Sequence, residues 1–220
     1  SINWNGLLFV NAGRNKSILK ALNEINEMVK WYPFEKISYD KSASKTYTIG
    51  AHWALYCENY LEGFHISYVH EGLSSDIDNK SYQTVLLEHA VLQVAKSQNK
   101  TDSLCEIGEI NNIALNEVYA LYFWLFPNIM INFYKWGISV NIIEPLEKEK
   151  TRIRFISLPI KGYKQSFGET NSVDHIELED QKVVINVQNG IKSKFYDRGR
   201  YSAEYEKGTH HFHRIISRYL

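Results

Sequence analysis

The pattern of apolar and polar positions sets the first expectations. Gly6 to Asn11 reads as a short strand, closed by Ala12-Gly13-Arg14-Asn15. From Ser17 to Trp31, Ile18, Leu22, Ile25 and Val29 recur at helical spacing, with Ser17 as N-cap and Pro33 ending the helix. Thr46 to Ile49 is strand-like, and Trp53 to about His65 is apolar and helical. Glu71 to Asn79 is rich in Gly, Ser and Asp and reads as a loop. Val85 to Leu92 suits a strand, and Ser97 to Asp102 a polar turn. Tyr119–Phe126 and Ile129–Tyr134 flank Pro127-Asn128, a turn pair. Ile138–Pro145 and Thr151–Pro159 add two strands, and together these predict an antiparallel sheet. Helices are expected over 175–195 and 208–219. Central strands with flanking helices make the predicted class α+β.

Composition narrows the function. The chain has 220 residues, enough for one domain with a sizeable core, and is 44% hydrophobic and 23% charged, so an ordered domain is expected. Twenty-five basic residues balance 25 acidic ones, so no net field steers it toward nucleic acid or anionic lipid. Fifteen Tyr, ten Phe and five Trp favour strands and large apolar pockets. Cys57 and Cys105 form no C-x-x-C and read as reduced thiols of a cytoplasmic protein. No stretch reaches a membrane-spanning length, and no signal peptide is seen. Ser1 stands where an initiator Met would, so the expectation is that further chain precedes it.

The chemistry gathers in Glu58-Asn-Tyr-Leu-Glu-Gly-Phe-His-Ile-Ser-Tyr-Val-His70. On a helix, Glu58, Glu62 and His65 share a face with Asn59 beside it. Such a face inside an aromatic sequence is unfavourable to bury unless it is paired or metal-bound. His70 follows five residues after His65, which overshoots one turn. A helix end near Gly63 would bring the two rings together. Two imidazoles with a carboxylate suit iron(II). The 175–195 helix offers Asp180, which extends an apolar stripe of Val183, Val184, Val187 and Ile191, while Glu179 and Lys182 point elsewhere. Asp174 and Glu177 are alternatives to Asp180, and an Asp satisfying backbone groups at a helix start is another reading.

The His65–His70 segment closely resembles the iron-binding segment of Rieske-type ring-hydroxylating oxygenase α subunits. Glu179 to Gln188 is similar to the segment that supplies the family's ligating Asp, which maps to Asp180. The ending from Val187 through Tyr196-Asp-Arg-Gly-Arg-Tyr-Ser to His210-His-Phe-His213 resembles the choline monooxygenase-like branch. Trp4–Asn11 resembles the stretch joining the Rieske and catalytic domains, so 1–12 is expected to be a linker remnant and 13–220 the catalytic domain. The resemblance implies a helix-grip fold, a curved antiparallel sheet around a long C-terminal helix. It implies mononuclear Fe(II) held by His65, His70 and Asp180, with Glu62 bridging to the electron donor and Asn59 supporting the ligands. It further implies dioxygen and a small substrate (an aromatic acid or a quaternary ammonium compound), a homotrimer, and a reductase or ferredoxin. The C-x-H and C-x-x-H pairs of a Rieske [2Fe-2S] cluster are missing from these 220 residues, so the cluster is expected on a missing domain or another polypeptide. A non-catalytic ligand-binding module and an extradiol-type iron oxygenase are the competing readings.

Among the other candidates, His210 and His213 are expected to be structural or at the surface. His52 and His89 are expected to be ordinary, and for His175 a supporting-donor role is the lesser alternative to an ordinary one. Asp197-Arg-Gly-Arg200 reads as a salt-bridged turn.

Overall fold

The computed structural model describes residues 1–11, 17–70, 77–78, 81–98, 103–163 and 169–220, with the side chains of 17, 67 and 169–174 outside that description. The loop expected over 71–79 and the turn over 97–102 fall mostly outside the described residues, as does the side chain of the expected cap Ser17.

The chain opens on a hairpin, β1 (Ile2–Trp4) and β2 (Leu7–Phe9), where one strand was expected. Asn5 and Gly6 turn it with positive φ, 49° and 89°, a conformation that Gly and Asn tolerate best. Helix α1 (Ser17–Val29) follows, and Tyr32 and Pro33 lead the chain into β3 (Asp40–Ile49). Next come α2 (Trp53–Tyr60) and the four-residue α3 (Ile66–Val69). The single strand expected over 85–92 is two, β4 (Gln83–Leu86) and β5 (Ala90–Lys96), turned at Leu87-Glu88-His89. A small hairpin, β6 (Glu109–Ile110) and β7 (Ile113–Ala114), gave no periodic signal. Then come β8 (Val118–Leu125), β9 (Ile129–Tyr134), β10 (Gly137–Glu147) and β11 (Lys150–Pro159). Helices α4 (Glu169–Gly190) and α5 (Lys207–Ile216) close the chain.

Seven strands form one antiparallel sheet in the order β3-β11-β10-β9-β8-β5-β4. Period-two alternation divides its residues between two cores. Leu92, Val94, Leu121, Phe123, Ile131, Phe133 and Ile138 point to one face, against Trp4, Leu22, Ile25 and Val29 of the N-terminal elements. Val91, Trp124, Met130, Ile143 and Ile153 point to the other, against Tyr56 and Cys57 of α2, Val184 of α4 and Phe212 of α5. Phe212 meets Trp124 edge-on at 5.0 Å. The fold is therefore α+β around a large antiparallel sheet covered on both faces. Among the described residues, no helix is long and apolar enough to cross a membrane.

Candidate metal centre

The helix expected to run to His65 stops at Tyr60. The amide of Leu61 bonds to the carbonyls of Cys57 and Glu58 at 3.0 and 3.1 Å, and its ψ of 4° ends the α path. Leu61 is fully buried, and Gly208 of α5 packs on it. A Cβ at Gly208 would lie 2.5 Å from the Leu61 carbonyl oxygen, so only glycine permits this approach. The chain then turns through Gly63, and His65 begins α3. The break resolves the five-residue spacing. His65 and His70 face each other with ring centroids 5.1 Å apart at 81°.

Asp180 of α4 meets them. Oδ1 lies 3.3 Å from His65 Nε2 and 3.1 Å from His70 Nε2. It also accepts from Asn59 Nδ2 at 2.7 Å, so Asn59, on the last turn of α2, ties that helix to α4. One donor atom from each of His65, His70 and Asp180 lies within 4.8 Å of the others, and this is the one such cluster among the described residues. Behind each ring stands a carboxylate. Glu62 Oε1 accepts from His65 Nδ1 at 2.5 Å, while Glu62 Oε2 accepts from the His65 amide at 3.1 Å and from that of Phe64. Glu179 Oε2 accepts from His70 Nδ1 at 2.8 Å. His175, largely exposed, reaches Glu179 at 3.2 Å and acts only through it.

The charges are consistent with this geometry. Burial disfavours a charged His65 ring, but its bonds to Asp180 and Glu62 outweigh that and push it up to about 9. For His70, burial likewise opposes, and Asp180 and Glu179 raise it. Burial would raise Asp180, but the two rings hold it down at about 2.

Two expectations about α4 need correction. Glu179 does not point elsewhere, since it holds His70. The buried face of α4 is not the valine stripe either. Val184 is buried and Val187 is exposed, and the other buried positions among the described side chains of α4 are Glu177 and Gln188. Gln188 Oε1 accepts from the His52 amide at 2.8 Å, and Glu177 Oε1 accepts from the Tyr56 hydroxyl. Polar residues line this face because α2 supplies partners for them, a long-range fact that spacing does not carry. Glu177 is thereby separated from the cluster, and the Asp174 side chain lies outside the described residues.

The other histidines behave as expected. His52 caps α2, its Nδ1 accepting from the Ala54 amide at 3.3 Å. His89 sits 3.5 Å from Glu88. His211 donates to the Leu87 carbonyl at 2.6 Å. His213 joins Glu58 at 2.8 Å and the Tyr201 hydroxyl, so Glu58 serves α5 and not the cluster. Arg198 and Asp197 form a loose, exposed pair at 3.9 Å.

Beside the cluster the sheet carries a polar row that the sequence reading did not isolate. Gln93, Tyr122, Asn132 and Ser139 are directly opposed on β5, β8, β9 and β10, so they share a face. Tyr60 of α2 closes over it. Its hydroxyl donates to Asn132 Oδ1 at 2.5 Å, and its carbonyl accepts from Gln93 Nε2 at 2.6 Å. Gln93 Oε1 is buried with no partner among the described residues. Tyr122 packs edge-on to Tyr60 and Tyr134.

Comparison with known proteins then decides the family. Residues 28–220 match the family described as ring hydroxylating alpha subunit (catalytic domain). The chain belongs to that family. It is 34% identical over 180 residues to chloroplastic choline monooxygenase of Arabidopsis thaliana, covering 78% of this chain and 40% of that protein. It is 27% identical over 180 residues to the carnitine monooxygenase oxygenase subunit of Escherichia coli K12, covering 76% and 46%. A crystal structure of a quaternary ammonium Rieske monooxygenase superposes with a TM-score of 0.79 at 18% identity, over 99% of this chain and 60% of that one. The matched stretches thus cover less than half the length of these two curated relatives. Both of these curated relatives are named as monooxygenases.

Proposed function

We propose that this chain is the catalytic domain of a Rieske-type non-haem iron oxygenase that hydroxylates or demethylates a small organic substrate. The observation that carries the reading is the meeting of His65 Nε2, His70 Nε2 and Asp180 Oδ1, each ring backed by its own carboxylate. Two imidazoles and one carboxylate are a donor set that fits iron(II) and leaves positions open. The carboxylates fit it too, because a ligating histidine ordinarily donates its remote N–H to such a partner. Iron held there would supply dioxygen activation beside the substrate.

The chain's own residues have definable tasks in this reading. Glu62 and Glu179 keep a proton on Nδ1 of His65 and His70, which leaves each Nε2 free to ligate once its proton departs. Asn59 holds one oxygen of Asp180 and so fixes the carboxylate's rotation. Glu62, at the turn between α2 and α3, is the bridge to the electron donor. Tyr60, Gln93 and Asn132 form the polar side of the substrate space, and the apolar core around Trp124 and Phe212 keeps water from it.

In the same reading the sheet grips α4 in the helix-grip manner, and residues 1–12 lead in from a Rieske domain. A [2Fe-2S] cluster outside these residues, a reductase or ferredoxin, and a trimeric assembly complete the electron path. The thiols Cys57 and Cys105, which are unpaired, suit a cytoplasmic protein. Substrates are quaternary ammonium compounds or aromatic acids, and the relatives named for choline and carnitine support the former.

Hydrogen peroxide offers a test that bypasses the cluster, since it carries both the oxygen atom and two oxidising equivalents. The iron(II)-loaded chain, given peroxide and choline, should form oxidised choline. Product no higher than in Asp180→Ala would count against the reading.

A further inference from the structure

The turn between α2 and α3 carries Glu62 and leads into His65, so its placement against Asp180 sets the geometry of the cluster. The Glu62 carboxylate belongs to the framework of that turn. Its Oε2 accepts from the amides of Phe64 and His65, and its Oε1 from His65 Nδ1. A backbone shift at Gly63 therefore carries Glu62 and the His65 ring with it. His70 is held separately, by Glu179 of α4.

The turn is fastened from outside. Tyr60 is bound to the sheet through Gln93 and Asn132. Leu61 is met closely by Gly208 of α5. Tyr82, a half-buried residue directly before β4, adds a contact at Gly63. A Cβ on Gly63 would lie 3.1 Å from both Cδ1 and Cε1 of the Tyr82 ring and 3.5 Å from its Cγ. An ordinary carbon–carbon contact is about 3.5–4.0 Å, so the ring rests on bare backbone. Gly63 is not among the glycines with positive φ, so its conformation does not demand glycine. The ring does. The strand behind the ring is itself pinned, by the Gln83–Val94 pairing with β5 and by His211 of α5 at the Leu87 carbonyl, 2.6 Å. Helix α5 thus braces the turn directly at Leu61, and at Gly63 by way of β4.

We propose that Tyr82 is a positioning residue: its ring fixes the Gly63 turn and so sets where Glu62 and His65 stand relative to Asp180. It acts through the ring and not the hydroxyl, and on His65 and not His70. Groups that orient a ligating histidine govern metal affinity without touching the metal. The proposal rests on the oxygenase reading only in taking iron as the ion.

The test uses Tyr82→Leu, Tyr82→Phe, Gly63→Ala and the double variant Gly63→Ala/Tyr82→Leu. Anaerobic iron(II) affinity, the electron paramagnetic resonance spectrum of the iron(II) protein with nitric oxide, and the melting temperature are measured on each. In the metal-free chain, the nuclear magnetic resonance signal of the His65 Nδ1 proton reports its bond to Glu62. Tyr82→Leu should lower iron affinity about tenfold, change the spectrum, and move the His65 signal while leaving that of His70 in place. Tyr82→Phe should return affinity to within about twofold of wild type. Gly63→Ala should weaken iron binding too, and by less in the Tyr82→Leu background, where the smaller side chain makes room. A lower melting temperature with unchanged affinity and an unmoved His65 signal would mark mere packing and overturn the proposal. So would an equal loss in Tyr82→Phe, or strict additivity in the double variant. If Tyr82→Leu does not fold, an unmoved His65 signal in Gly63→Ala overturns it. If wild type takes up no iron, the oxygenase reading falls, and the His65 signal alone still decides on Tyr82.

Discussion

Glu179 is the residue whose role departs most from its place in the sequence, and its removal gives a quantitative test. Glu179→Ala deletes an acceptor 2.8 Å from His70 Nδ1. The His70 side chain is 1% exposed, so water does not readily replace that acceptor. A hydrogen bond to a charged group is worth roughly 1.5–3 kcal/mol. The Glu179 side chain is 28% exposed, which places the loss near the lower end. The expected result is about a tenfold loss of iron(II) affinity, roughly 1.4 kcal/mol. Anaerobic competition against a chromophoric chelator reads it directly. Glu62→Ala should lose more, toward a hundredfold, because Glu62 is more enclosed than Glu179 and the bond is shorter, at 2.5 Å. His175→Ala should change affinity less than about twofold, since His175 is 76% exposed and reaches the cluster only through Glu179. A change under twofold in Glu179→Ala, or an equal loss in His175→Ala, would refute the reasoning.

The metal-free chain should lose stability as pH rises through the alkaline range. With the His65 ring at about 9 against an ordinary 6.5, its pairing stabilises fully below pH 6.5 and fades as pH climbs toward 9, an effect on the order of 2 kcal/mol. Asp180, at about 2 against 3.8, works in the opposite sense, stabilising above pH 3.8 and losing that stabilisation as pH falls toward 2. Melting temperatures across pH 6–9.5 would check this at the ~0.5-unit level, and a rise between pH 7 and 9 would contradict it. Gly208→Ala should lower the melting temperature, because its Cβ would sit 2.5 Å from the Leu61 carbonyl oxygen and α5 would have to shift, a strain of about 1–3 kcal/mol. An unchanged melting temperature would show that α5 moves freely there.

Much of the site was legible because its signals are local. His65 and His70 sit five residues apart with a glycine before them, and a helix break was the way to bring both rings together. The structure has that break at Leu61–Gly63. The strand pairs around Pro127-Asn128 carried enough apolar alternation to be read directly. What failed was long-range. The buried face of α4 presents Glu177 and Gln188, each satisfied across space by Tyr56 or the His52 amide, and apolar spacing therefore named the wrong stripe. Glu179 looked outward because its neighbour Asp180 took the inward position, yet the wide spread of a carboxylate reaches His70 from the helix flank. The row of Gln93, Tyr122, Asn132 and Ser139 depends on strand register, which no single strand encodes. The resemblance to the oxygenase family supplied Asp180, where spacing alone left a cap residue equally open.

The central claim is that His65, His70 and Asp180 together hold one iron. The direct measurement is metal content after anaerobic loading with iron(II), made on wild type, Asp180→Ala and His213→Ala. The account predicts about one iron per chain in wild type and in His213→Ala, whose ring serves Glu58 and Tyr201, and almost none in Asp180→Ala. Iron retained in Asp180→Ala, or lost only with His213, would contradict it.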